Sequence, residues 1–244
     1  MAVYYGGRYT SVSEIRGPSG FYNLYLDGEN VPVYVDQTYD GGGWVLVMAN
    51  RINTAGMNNL TYYDAVNSCN YRTGGTSNAT NTVVDPLSKL SGLANYNAWI
   101  GLRYWKKLSG RVTAGRITAV QFVSTTAGTA LSNTGAHTKR YRWSSAGFNS
   151  TYGFTSPIGI SQEAGSGAPG FYASHVAPGN SLTTYDRDQD TLGGNCSTFY
   201  NNNPWWYGAC WSGNYFGGGS GYADAAFWDS STTDFHNYGA VYIK

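Results

Sequence analysis

The chain has 244 residues, 12% of them charged, and a formal net charge of +1. That balance excludes the strongly basic face of a nucleic-acid binder. Aromatics at 16%, including 8 Trp, exclude disorder, and no apolar run is long enough to span a membrane. The length suits one or two domains and buries a core without covalent staples. Met1 to Arg8 lack the basic region and apolar run of a secretory signal. The expectation is that a signal was removed, or that the protein leaves its cell by another route. The 33 Gly and 22 Tyr suggest loops carrying stacking surfaces; the plainer alternative is aromatic filler between turns. Three cysteines, Cys69, Cys196 and Cys210, allow one bridge and one odd thiol.

Taken in chain order, residues 1–16 read as a polar arm or attachment segment, and Gly17-Pro18-Ser19-Gly20 punctuates its end. Phe21 to Leu26 is strand-like, Asp27-Gly28-Glu29-Asn30 is a tight turn, and Val31 to Val35 continues as a strand. A glycine turn, Tyr39 to Gly43, leads into a third strand, Trp44 to Met48. Asp85-Pro86 before Leu87, Leu90 and Leu93 predicts a short capped helix. Trp99 to Leu108 is apolar and fits either helix or strand. Arg116 to Val123 alternates as a strand does. From about 124 to 237 the chain is mostly Gly, Ser, Thr, Asn and aromatics, the composition of function-bearing loops. Tyr238 to Ile243 reads as a closing strand.

Asp186-Arg187-Asp188-Gln189-Asp190 carries the sharpest chemistry. Carboxylates at alternate positions repel one another unless a cation sits among them, and Ca²⁺ prefers such oxygens. An EF-hand counted from Asp186 needs Gly and Glu where Thr191 and Ser197 stand, so that reading fails. The competing reading is a solvated acidic turn partly neutralised by Arg187. Enzyme readings are weak. His137, His175 and His236 share no metal-ligand spacing, no Gly-x-Ser-x-Gly elbow is present, and Asp186 with Asp188 are too close on one loop to flank a sugar. Lys139-Arg140-Tyr141-Arg142-Trp143 is either a solvated strand face or a contact for acidic glycans. The sequons at Asn59, Asn78, Asn149 and Asn195 matter only in a eukaryotic secretory path.

Two motif blocks together carry a family resemblance. The first is Gly20-Phe21-Tyr22, Val31-Pro32-Val33-Tyr34-Val35-Asp36 and Asp40-Gly41-Gly42-Gly43-Trp44-Val45. The second is Thr183 to Asp190, Asn195-Cys196, Trp205-Trp206-Tyr207 and Cys210. Over residues 17–244 the chain resembles fibrinogen-related domains, a family that includes the ficolin and tachylectin lectins. The end, Ala223 to Lys244, is more similar to that of intelectins. The resemblance implies an α+β fibrinogen C-terminal-like domain, with a central antiparallel sheet, few short helices and a loop-rich, calcium-binding C-terminal subdomain.

Carried over by position, the resemblance assigns Ca²⁺ to the carboxylates of Asp188 and Asp190 and the carbonyls of Leu192 and Gly194, with Asp186 in support. It implies a Cys196–Cys210 disulfide and a ligand pocket beside Cys210 with a cis Ala209-Cys210 peptide. Tyr200 and Trp211 match pocket positions, and Tyr207, Tyr222, Phe227 and Trp228 are candidate walls. Two departures bear on specificity: Val35 stands where most relatives have Cys, and Trp211 where many lectin members have His. The expected function is calcium-dependent binding of cell-surface glycans, acetylated sugars among them, without catalysis. The expected setting is extracellular or a virion surface, such as a bacteriophage tail fibre, with the chain as a homo-oligomer, a trimer in the simplest case. The alternative is a structural or decorating role without glycan binding.

Overall fold

The computed structural model describes residues 7–51, 59–67, 69–73, 96–109, 115–121, 137–143, 149–153, 160–164, 180–200, 202–210, 227–228, 235–236 and 238–244. The predicted helix after Asp85 lies outside them, as do His175, Asn78, Trp211 and Tyr222.

The N-terminal strands form where alternating aromatic and β-branched residues can share one buried face. Strand β1 (Gly20–Leu26) pairs antiparallel with β2 (Glu29–Asp36), from Gly20 opposite Val35 to Leu26 opposite Glu29. Asp27 and Gly28 close the hairpin with φ of 53° and 86°. Positive φ at both central residues matches the right-handed twist of the strands. Strand β3 (Trp44–Arg51) follows a turn organised by the buried Asp36. Asp36 Oδ1 accepts hydrogen bonds from the backbone N–H of Thr38 (2.9 Å) and Tyr39 (3.2 Å) and from the Thr38 hydroxyl (2.7 Å). Gly42 sits there at φ 75°, and a Cβ on it would stand 2.8 Å from the Gln37 carbonyl oxygen, so only glycine fits. Val35, in the position of the family's absent cysteine, is fully buried and faces Val45. An apolar contact stands there instead of a bridge.

The described strands build a nine-stranded antiparallel sheet with the path β1-β2-β3-β11-β6-β7-β8. Its further members are β4 (Cys69–Thr73), β5 (Tyr96–Ile100), β6 (Gly115–Gln121), β7 (His137–Trp143), β8 (Ile160–Ala164) and β11 (Tyr238–Ile243). One edge of β3 serves two partners: its first residues pair with β2, and Met48 and Ala49 pair with β5, which carries β4. Its other edge takes β11, which also pairs with β6. The closing strand is therefore central and joins the N-terminal hairpins to the rest of the sheet. A separate two-stranded ladder pairs β9 (Phe227–Trp228) with β10 (Phe235–His236).

The stretch 99–108 divides at Gly101. Strand β5 ends at Ile100, and helix α2 (Leu102–Ser109) begins beyond the glycine. Leu102, Trp105 and Leu108 are buried at spacings of three, as one face of a helix requires. Arg103 and Lys107 point away, to Glu29 (2.6 Å) and Asp27 (2.8 Å). Residues 124–237 are less loop-like than their composition suggests, since β7, β8, β9, β10 and helix α3 (Cys196–Phe199) lie within them. Lys139 to Trp143 fall on β7.

Helix α1 (Tyr62–Asn67) has its first turn closed by Thr61, whose hydroxyl accepts from Asp64 N–H (3.0 Å) and donates to the Asp64 carboxylate (2.8 Å). The Thr61 hydroxyl thus acts as the helix's N-terminal cap. Trp99 Nε1 donates to the Ala65 carbonyl (2.8 Å), which fixes α1 to the sheet. Before β1, a short 3₁₀ turn (Val12–Glu14) brings Ile15 into the core, and Tyr9 exchanges backbone hydrogen bonds with Asn23 and Tyr25.

Candidate functional site

Among the described residues of 180–210 there is one four-residue helix, α3, and otherwise no regular element longer than a β-bridge. The segment is anchored to the core by aromatic burial. Trp205, Trp206 and Tyr207 are buried, and the Trp206 ring lies 5.8 Å from that of Trp105 on α2. Trp206 Nε1 donates to the Tyr152 carbonyl (2.6 Å). Thr183 and Trp205 exchange backbone hydrogen bonds of 2.9 and 3.1 Å. Thr191 N–H donates to Gly208 O (2.9 Å), so the acidic loop and the approach to Cys210 lie side by side.

The acidic loop holds its shape through side chains bonding its own backbone, the usual behaviour of Asp and Asn in turns. Asp188 Oδ1 accepts from Asp190 N–H (3.2 Å). Asp190 accepts from Leu192 N–H (3.0 Å) through Oδ1 and from Cys196 N–H (2.8 Å) through Oδ2. Desolvation raises the Asp190 carboxyl above its ordinary pKa; the Asp188 charge adds to this, and the two N–H donors oppose it. Asp188 is thus near enough to disfavour the ionised form of Asp190.

Asp186 behaves differently. Its Oδ1 accepts from the N–H of Tyr62, the first residue of α1 (2.9 Å), and from the Thr184 hydroxyl (2.7 Å). The Arg187 guanidinium lies over the Tyr62 ring, 4.0 Å from its centre. These contacts latch the loop to α1 and commit Asp186 to that task.

Asn195 went unnoticed as a site residue in the sequence, yet it organises the turn. Its Oδ1 caps α3 by accepting from Ser197 N–H (2.8 Å) and Thr198 N–H (3.3 Å). Its Nδ2 donates to the carbonyls of Thr184 (2.9 Å) and Tyr185 (3.3 Å). The available signal was the residue type alone, since Asn is among the preferred N-caps. The same bonds occupy the amide nitrogen of the Asn195 sequon.

Cys196 and Cys210 are disulfide-bonded with Cα atoms 5.1 Å apart, as the resemblance implied. The bond fits an oxidising, extracellular setting. The Asp190 carboxylate lies within 4.8 Å of both sulfurs, but bridged sulfurs offer no thiolate to a metal. Tyr200 stacks on the buried Tyr207 (5.6 Å, 16° between planes) and donates its hydroxyl proton to the Cys210 carbonyl. Burial, then the neighbouring Tyr200 and Asp190, push the Tyr207 phenol well above its ordinary pKa. Ala209 is exposed and Cys210 half-buried. The expected cis Ala209-Cys210 peptide is absent: the bond is trans, and Cys210 turns the chain through a left-handed φ of 59° instead. The bend there is supplied by one residue's φ rather than by the peptide plane. Of the remaining pocket candidates, the backbone of Trp228 lies in β9.

Asp188, Asp190, Leu192 and Gly194 thus share one short turn. Among the described residues, no hydrogen bond is donated to the carbonyls of Leu192 or Gly194. Carboxylates and carbonyls are oxygen donors of the kind a hard divalent cation takes.

The comparisons agree on the fold. Residues 10–235 match the model of the C-terminal globular domain of fibrinogen beta and gamma chains, and the chain belongs to that family, which includes lectins and other ligand-binding domains. The fibrinogen-like globe domain of human ANGPTL6 superposes with a TM-score of 0.67 at 19% identity, covering 98% of this chain and 96% of that one. That of human ANGPTL2 gives 0.63 at 18%, covering 96% and 95%. Lamprey fibrin D-dimer, solved with the peptide ligand Gly-His-Arg-Pro-amide, gives 0.63 at 14%, covering 98% and 74%. No curated protein sequence matches.

Proposed function

We propose that this domain is a calcium-dependent, lectin-like carbohydrate-binding module that acts by binding rather than catalysis. The observation that carries the reading is a continuous mechanical linkage. Asp190 bonds the Cys196 N–H, Cys196 is bridged to Cys210, and the Cys210 carbonyl takes the Tyr200 hydroxyl. Any change at the acidic loop reaches the residues of the candidate pocket through two hydrogen bonds and one covalent bond.

In this reading Asp188, Asp190 and the carbonyls of Leu192 and Gly194 hold Ca²⁺. Bound there, the ion supplies the positive charge that offsets carboxylate repulsion and stiffens the turn. Tyr200, Ala209 and Cys210, joined by Trp211, Tyr222 and Trp228, line the ligand site and do not share ligands with the metal. The partners are cell-surface glycans, including acetylated sugars. The setting is extracellular or a virion surface, as in host recognition by a bacteriophage tail fibre. A homo-oligomer, a trimer in the simplest case, would convert weak sugar contacts into avidity.

A glycan array probed with and without a calcium chelator tests the reading. Binding to acetylated glycans that is lost with chelator, lost in Asp190→Ala and weakened in Trp211→Ala supports it. Binding that survives verified metal removal contradicts the calcium dependence. No glycan bound under either condition returns the domain to a structural or decorating role.

A further inference from the structure

Away from the 180–210 segment, the first 3₁₀ turn, the start of β3, the end of α2 and the end of β11 line an open pocket of about 170 Å³. It is lined by Ser11, Val12, Ser13, Gly43, Val45, Leu108, Ile243 and Lys244, and no residue of the 180–210 segment takes part. Three of the lining side chains, Val45, Leu108 and Ile243, belong to the buried core. An apolar hollow of about 150 Å³ accepts a benzene-sized guest.

The rim is polar. Lys244 Nζ donates to the Asp40 carbonyl (3.0 Å) and lies 5.7 Å from the centre of the Trp44 ring. The nearby Asp40 carboxylate is held by Arg142 at 2.7 Å. Among the described residues, the ammonium therefore has a carbonyl and a ring but no carboxylate. An ammonium offers three donors, so donors remain for an anion. Ser11 and Ser13 add to this. Their hydroxyls share one hydrogen bond (2.8 Å), and Ser11 Oγ also accepts from Ser13 N–H (3.3 Å). Two hydroxyl protons and one mutual bond leave one O–H to be given to an acceptor, at a position where Ser11 is itself 7% exposed.

We propose that this cavity is a second binding site, for a small amphiphilic carboxylate. The apolar body, aromatic or short aliphatic, would lie against Val12, Val45, Leu108 and Ile243. The carboxylate would face Lys244 and the seryl pair. Apolar volume sets the size of the guest and the unpaired ammonium sets its charge. The site is independent of the calcium loop and does not rest on the glycan reading.

Benzoate is the probe, with benzamide as its neutral isostere, titrated into the full chain by calorimetry and by ligand-observed NMR. The expected result is saturable 1:1 benzoate binding with a Kd of about 1 mM. Benzamide should bind about three- to five-fold more weakly, the scale of an exposed ion pair. Lys244→Met should erase the difference by weakening benzoate alone. Val12→Trp, on a half-buried surface turn, should fill the cavity and abolish both. A thermal melt of each variant verifies folding, and Lys244→Met decides alone if Val12→Trp does not fold. Chelating calcium should change neither affinity. The proposal is overturned by benzoate that fails to saturate at about 10 mM, by equal affinities of benzoate and benzamide, or by full benzoate affinity in folded Val12→Trp.

Discussion

The N-terminal sheet and the 180–210 segment reach order by different means. In β1 to β3, apolar residues repeat along the strands, and Phe21, Leu24, Val33, Val35, Trp44, Leu46 and Met48 are fully buried. Removing such surface from water supplies most of the stability there, with Asp36 shaping only the turn before β3. In 180–210 the buried anchors are fewer, and the remaining geometry comes from Asp186, Asp188, Asp190 and Asn195 bonding backbone groups. A scaffold held by burial tolerates polar change at its surface. A turn held by individual side chains can respond to one ion or one substitution, as a ligand-responsive element must.

Three substitutions sharpen this contrast, in decreasing order of effect. Trp44→Ala removes a fully buried ring from the sheet. It should cost about 3–5 kcal/mol, read as a lower denaturant midpoint with all spectroscopic signals falling together. Replacing Cys196 and Cys210 by Ala together should cost on the order of 3 kcal/mol, because the bridged pair stands 14 positions apart in sequence. Here the tryptophan fluorescence around Trp205 and Trp206 should change before the far-ultraviolet strand signal. A single, coincident transition would show that the segment is as firmly integrated as the sheet. Asn195→Ala should cost about 1–2 kcal/mol, through loss of the α3 cap and the donors to Thr184 and Tyr185. Calcium affinity should fall with it, although Asn195 is not a proposed ligand. Unchanged affinity would mean that the ligand set does not depend on this turn.

The two regions also differed in how far the sequence disclosed them. The β1–β2 hairpin was legible because Asp27-Gly28 between alternating apolar residues is a local signal. The closing strand was legible as a strand, but its place between β3 and β6 was not, since pairing partners far apart in sequence leave no local trace. Strand β7 was legible in part, through the strand face Lys139 to Trp143, whereas β8 was not read from the sequence; its ladder arises from its neighbour, not from propensity. Helix α1 was overlooked because six residues give little periodicity, and its capping pair, Thr61 and Asp64, was the readable cue. In the site, the acidic cluster stood out by charge, and its relation to Cys196 and Cys210 came from family resemblance. The separate task of Asp186 could not be read locally, because its partner, Tyr62, lies 124 residues away. The trans geometry at Ala209-Cys210 ran against the family expectation, and nothing in the local sequence announced the left-handed Cys210.

The central claim is that Asp188 and Asp190 hold calcium while Asp186 only holds the loop. Calorimetric titration of Ca²⁺ into verified metal-free protein tests it most directly, in wild type and in Asp186→Ala, Asp188→Ala and Asp190→Ala. The account predicts one site per chain in wild type. Affinity should fall at least about 100-fold in Asp188→Ala and Asp190→Ala, and by less in Asp186→Ala, which removes a support and not a ligand. Wild-type affinity in Asp188→Ala, or the largest loss in Asp186→Ala, would contradict the assignment.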